Sequence, residues 1–128
     1  MSDFSNGLSD RFMVFAVNIM KLEKQLCKTN SGRQIYGQFF RAGTSSGANY
    51  EESRAAESRA DFIHKMQIVL KELRESHFWF KLIIATKIIP SENEILKFLF
   101  HESKELANIT AKSVVTAKSK IGKSTSRP

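Results

Sequence analysis

The sequence has little that would staple a small protein together. A single cysteine, Cys27, excludes an intramolecular disulfide and most structural zinc sites. Two prolines and six glycines in 128 residues exclude a collagen-like chain or a string of linkers. Acidic residues are in short supply: 13 stand against 20 Lys and Arg, which leaves a net charge of +7. None of them follows Glu105. Long apolar runs are missing as well. The stretch FMVFAVNIM, residues 12–20, falls far short of the roughly 20 residues a membrane helix needs. Before it stand Asp3 and Asp10 against Arg11, without a small-residue cleavage site, which is not the pattern of a secretory signal. The expectation is a cytoplasmic protein with no membrane partner.

Helical spacing is what the sequence does have. Phe12, Phe15, Ile19, Leu22 and Leu26 follow the i, i+3/i+4, i+7 pattern of an amphipathic helix, with Ser9 as a candidate N-cap and Asn30-Ser-Gly32 as its stop. A second segment runs from about Arg33 to Glu57, and its middle, Ala42-Gly-Thr-Ser-Ser-Gly-Ala48, is all small residues. Two readings compete there. One is a loop between two short helices, because Gly and Ser form helices poorly; the composition favours it. The other is a continuous helix whose Gly43 and Gly47 admit a close neighbour. A third helix carries the stripe Phe62, Met66, Val69, Leu73, Ser76 and Phe80, with Ser58 as N-cap, Asp61 at the capping-box position and Pro90 as terminator. A fourth opens at Ser91 and continues through Ile95, Leu99, Leu106 and Ile109. Four helical segments with short joints predict an all-α, antiparallel up-down four-helix bundle over residues 9–115. Residues 1–8 read as a leader and 116–128 as a disordered basic tail.

Aromatic residues exceed what one core can take. Phe39-Phe40, Phe78-Trp79-Phe80 and Phe98-Leu99-Phe100 each turn around their helix, so part of each cluster faces away from the bundle. This predicts a homo-oligomer. The charge is also uneven. Without Lys112, Lys118, Lys120, Lys123 and Arg127, the body holds 15 basic against 13 acidic residues. These five, with Arg33 and Arg41, are the candidate nucleic-acid contacts, because each cation placed on a phosphate releases a counterion.

The chemistry-bearing patterns give no catalytic centre. Asp61, Lys65, Ile68, Glu72, Glu75 and Trp79 form a second stripe on the third helix, and Asn49 and Glu52 lie one turn apart on the second. Together they predict a polar network that fixes register between helices or subunits. A di-metal bundle needs Glu-x-x-His pairs, and this chain has Asp61-x-x-His64 alone, with His77 and His101 at unrelated spacings. Cys27 falls at a helix C-terminus, where the dipole disfavours a thiolate. The GTSSG run lacks the Gly-Lys-Ser/Thr ending of a phosphate loop. No enzyme, metal or cofactor is expected.

The run Gln38-x-x-Arg41-Ala-Gly-Thr-Ser-Ser-Gly-Ala-Asn49-Tyr-Glu51-Glu52, then Asp61-Phe62-x-x-Lys65, then Glu72-x-x-Glu75-x-x-x-Trp79, resembles the 23S ribosomal RNA intervening-sequence proteins over about residues 8–115. Ser46 stands where that family usually has an aliphatic residue. The resemblance implies a helical bundle that assembles as a homo-pentamer, with residues 42–48 helical and closely packed. It also implies a structural or interface role for Gly43, Gly47, Asn49, Glu51, Glu52, Asp61, Phe62, Lys65, Glu72, Glu75 and Trp79. Five copies would carry five times +7, a strong field for an RNA or DNA partner. A related group, the accessory proteins of diversity-generating retroelements, shares the bundle and pentamer and binds nucleic acid and a reverse transcriptase. The motif here fits the intervening-sequence group better. The alternative expectation is an assembly scaffold for a protein partner.

Overall fold

The computed structural model describes the backbone of residues 4–125 and the side chains of residues 7–121. Four long helices and one short helical turn occur among the described residues: α1 Phe4–Met20, α2 Glu23–Leu26, α3 Asn30–Arg54, α4 Arg59–Thr86 and α5 Glu94–Thr125. No strand occurs among the described residues. α3 packs on α4, α4 on α5, and α1 lies against α3 and α5, which closes the ring of four. The joints at residues 55–58 and 87–93 are too short for a parallel return, so α3, α4 and α5 run antiparallel in succession.

Local chemistry sets the boundaries. Thr29 caps α3 by accepting from the Gly32 amide at 3.0 Å, and Ser58 caps α4 by accepting from the Asp61 amide at 3.0 Å. Asp61 reaches back to the amide of Glu57 at 3.4 Å, one residue outside the usual capping box. α4 ends at Lys87, which takes the left-handed conformation (φ 58°) and donates its amide to the carbonyls of Ile83 and Ile84. The start of α5 corrects the expected cap. Asn93, not Ser91, holds the amide of Leu96, at 3.0 Å.

Three further expectations differ from the fold, and so does the loop that composition favoured at residues 42–48. Those residues are helical within an unbroken α3, as the family resemblance implies. The small residues are poor helix formers in isolation, but here Gly43 and Gly47 face α1. Gly43 lies under Ile19 and Phe15, and Ser46 is fully buried with its hydroxyl donated to the Gly43 carbonyl at 2.6 Å. The first helix, expected to run to Leu26, breaks at Lys21–Leu22, yet Leu22 and Leu26 are both fully buried, so the apolar spacing continues across the break. α1 begins at Phe4, so Ser9 is interior to it and Leu8 belongs to the core rather than to a leader. α5 stays helical to Thr125 where a tail was expected from residue 116, because buried Val114 and Ala117 hold it to the bundle.

Aromatic rings tie the core together. Phe80 of α4 takes edge contacts from Phe39 at 4.5 Å and Phe15 at 6.1 Å between ring centroids, and Phe12 stacks on Tyr50 at 4.9 Å. Each aromatic cluster is divided as its helical sweep demands. Phe39, Phe80 and Leu99 are fully buried, whereas Phe78 and Phe98 are exposed. The sequence reading missed a further apolar surface: Met13, Val14, Val17 and Met20 of α1 are all exposed.

Candidate nucleic-acid interface

Two constellations emerge from this packing, one between helix flanks and one at an end of the bundle. The first is the predicted polar stripe. Arg41 of α3 sends Nη1 to both oxygens of Glu72, at 3.2 and 3.3 Å, and Nη2 to Glu75 Oε2 at 2.6 Å. Trp79 Nε1 donates to the same Glu75 oxygen at 3.3 Å. The Arg41 guanidinium holds the Glu75 carboxyl below the usual carboxylate range, with the Trp79 hydrogen bond adding to it against the opposing effect of burial. Lys65 reaches across to Glu52 at 2.7 Å rather than along its own helix to Asp61. Asn49 does not join this network; its amide donates to the Ser45 carbonyl at 2.9 Å and hydroxyl at 3.2 Å. Glu51 pairs with Arg54 at 3.6 Å. The stripe therefore links α3 to α4 by two cation–carboxylate ties. Arg41, a candidate nucleic-acid contact from the sequence, is ion-paired here while about half of its side chain stays exposed. A third tie went unforeseen: Arg11 of α1 forks onto Glu102 of α5 at 2.7 and 2.9 Å and reaches Glu105 at 3.1 Å.

The second constellation lies where the N-terminal part of α1, the α3–α4 joint and the C-terminal part of α5 meet. They enclose an open cleft of about 880 Å³. Its floor is apolar, made by Leu8, Tyr50, Phe62, Met66 and Ile109. Among the described residues four cations line it, Arg54, Arg59, Lys112 and Lys120, and no carboxylate does. Arg54 is held by Ser9 Oγ at 2.7 Å and by Glu51. Arg59, Lys112 and Lys120 form no ion pair with any described residue, and all three are exposed. The hydroxyls of Ser113 and Thr116 also face the cleft without a hydrogen-bond partner among the described residues.

Of the residues proposed from the sequence for phosphate contact, the fold brings Lys112 and Lys120 together at this cleft. Lys118 is exposed but not part of it; two residues at about 100° each place it some 160° around α5 from Lys120. Arg33 is remote, with Nη1 3.4 Å from the Cys27 carbonyl. The side chain of Lys123 and all of Arg127 lie outside the described residues. Arg54 and Arg59 escaped the sequence reading because they sit in a locally balanced stretch. Topology was the available signal: in an up-down bundle the joint between the second and third long helices lies at the same end as the end of the fourth.

Among the described residues no group of three or more His, Cys, Asp and Glu side chains could hold a metal ion, and no helix is long and apolar enough to cross a membrane. His77 Nδ1 lies 2.9 Å from Ser103 Oγ, but Ser103 is fully buried and directs its own proton to the Phe100 carbonyl, so the pair is not an exposed nucleophile.

The family model of the 23S rRNA-intervening sequence proteins matches residues 8–112. A crystal structure from Bacteroides thetaiotaomicron, described as a protein of unknown function from the S23 ribosomal protein family, is 35% identical, covers 86% of this chain and 96% of its own, and superposes with a TM-score of 0.77. No curated protein matches the chain. The chain belongs to the 23S rRNA-intervening sequence protein family.

Proposed function

We propose that this member of the family is a non-enzymatic helical-bundle protein that binds RNA or DNA by its phosphate backbone and acts as a homo-oligomer, a pentamer by family resemblance. The observation that carries the binding is the cleft at the end of the bundle, where Arg59, Lys112 and Lys120 stand exposed, without ion-pair partners among the described residues, beside Arg54. Such cations gain most from an anion supplied from outside, and a phosphate polymer gives several at once. α5 adds to the field, because no carboxylate follows Glu105 while Lys112, Lys118 and Lys120 do. Oligomerisation is supported by Met13, Val17 and Met20, spaced 4 and 3 along one face of α1 and exposed to 65%, 43% and 53%. An assembly scaffold for a protein partner, such as a reverse transcriptase, is the second reading, and the same apolar stripe is what favours it.

Fluorescence anisotropy with a labelled duplex, titrated across salt, tests the binding. The logarithm of affinity falls linearly with the logarithm of salt, by about 0.9 per phosphate neutralised. The combined Arg59→Glu, Lys112→Glu and Lys120→Glu variant, whose changes are all at exposed positions, loses the binding. Absence of binding by the native protein at about 50 mM salt overturns the reading.

A further inference from the structure

A cleft built for phosphates alone would have no use for an apolar floor, and this one has both. Tyr50, Met66 and Leu8 at its base are buried to within a few per cent, while Phe62 and Ile109 are half-buried and face into it. The volume of about 880 Å³ is in the size class of small-molecule sites, roughly 300–1,000 Å³. The hydroxyls of Ser113 and Thr116, able to donate or accept, also line the cleft and have no hydrogen-bond partner among the described residues. The exposed cations Arg59, Lys112 and Lys120 line it too.

We infer that the cleft takes an unpaired nucleotide of a single strand, with the base laid on the Phe62, Met66 and Ile109 floor and its phosphates among Arg59, Lys112 and Lys120. The inference rests on the nucleic-acid reading above and narrows it to single-stranded substrate. The set of lining groups matches what a nucleotide offers: apolar and aromatic side chains for a base, hydroxyls for its polar edges, cations for an anionic link. A duplex cannot use the floor, since its bases are stacked inside and only its phosphates reach the cations. An acidic peptide would satisfy the cations but would leave the hydroxyls and the aromatic floor without a planar partner. Base stacking on protein rings and apolar side chains is worth about 1–3 kcal/mol per base and tolerates any sequence. The expected preference for single strand over duplex is therefore about tenfold.

The test compares an unstructured oligonucleotide with a duplex of equal length by anisotropy, using the full chain and its Ser113→Leu and Thr116→Leu variants. Both variants place a branched side chain in the cleft, remove no cation and keep good helix formers in α5. The native protein binds single strand about tenfold tighter, and either variant removes that preference. In parallel, adenosine 5′-monophosphate shifts the methyl resonances of Met66 and Ile109 by ring current, whereas inorganic phosphate at the same concentration does not. Equal binding of the two oligonucleotides with both variants silent overturns the inference and leaves the phosphate-backbone reading intact. Displacement of the single strand by polyglutamate as effectively as by a competing oligonucleotide also overturns it, in favour of an acidic protein partner. No binding of either oligonucleotide overturns both.

Discussion

Ile19 of α1 occupies the space that a side chain at Gly43 of α3 would need. A methyl group at Gly43 would overlap the Cδ1 atom of Ile19, which is itself fully buried. Four residues on, Gly47 is different: a methyl there would meet Phe12 Cβ at 3.4 Å, an ordinary contact. Gly43→Ala is therefore expected to gain about 1 kcal/mol of helix propensity and lose about 1–3 kcal/mol to overpacking, a net destabilisation. Gly47→Ala keeps most of the propensity gain and stabilises by up to about 1 kcal/mol. Ile19→Val removes the offending methyl, so the Gly43→Ala/Ile19→Val pair is more stable than the sum of its singles by on the order of 1 kcal/mol. Urea denaturation of the four proteins measures this. Additive singles would mean the two residues do not share that space.

Gly32 gives a harsher case. Its missing side chain leaves room for the backbone carbonyl of Leu26, which cannot swing aside as a side chain can. Gly37, on the same helix, has nothing within 4 Å. Gly32→Ala is expected to cost more than 2 kcal/mol while Gly37→Ala stabilises by a few tenths to 1 kcal/mol. Thermal melts of the two variants, run side by side, separate them by several degrees in opposite directions.

Arg41 tests whether a cation counted for nucleic acid serves the fold instead. Arg41→Ala leaves Glu72, only 7% exposed, without its partner and is expected to destabilise by on the order of 1–2 kcal/mol. Its effect on nucleic-acid affinity, in folded protein, is nil. Lys120→Ala shows the converse: stability unchanged, and a salt slope reduced by about 1. A shallower slope in Arg41→Ala would return that residue to the interface.

These contrasts show where the sequence was legible. Helix existence and the Ser58 cap could be read because each is a local signal: apolar spacing, a hydroxyl three residues before the amide it accepts from. The end of α4 could not be read from Pro90, because the helix stops earlier, at the left-handed Lys87. Residues 42–48 could not be read from composition, since their helicity depends on Ile19 and Phe15, which lie more than twenty residues away in sequence. The break at Lys21–Leu22 was hidden because residues on both sides face the same core. At the cleft, Lys112 and Lys120 stood out as members of an unbalanced charge run. Arg54 and Arg59 did not, because only the antiparallel topology brings their joint to the end of α5. The apolar stripe on α1 lay in plain view as FMVFAVNIM, a segment apolar on more faces than one core can cover.

His77 carries a pH dependence. It packs against Phe100 at 4.7 Å between rings and hydrogen-bonds buried Ser103. Burial, then the charges of Lys81 and Lys104, hold its pKa below the ordinary histidine range. The unfolded chain therefore takes up a proton that the folded one refuses. Stability is full above about pH 6.5 and declines as the pH falls below it toward the lower folded value. His77→Gln removes this contribution, so its denaturation midpoint is flatter than that of the native protein between pH 7 and 5. Parallel curves for the two proteins over that window would show that His77 titrates alike in both states. The loss of stability at lower pH remains in the variant, because Glu75, held below the carboxylate range by Arg41, contributes only above its own depressed pKa.

The stripe of Met13, Val17 and Met20 bears on assembly. These side chains are exposed in the isolated chain, and apolar residues at that spacing on a helix already packed on its other side match a contact with a second copy. Val17→Glu and Met20→Glu change no buried position, so the single chain keeps its fold. Each places an unpaired carboxylate in the proposed contact, and truncating or charging the centre of an interface costs several kcal/mol in association. In sedimentation equilibrium the native protein is expected at a multiple of 14.6 kDa, five-fold for a pentamer, and both variants at the single-chain mass with unchanged helical circular dichroism. A native protein sedimenting at 14.6 kDa sinks the assembly. Variants that remain oligomeric move the contact from α1 to the other exposed aromatics, Phe78 and Phe98, where Phe78→Glu is the corresponding test.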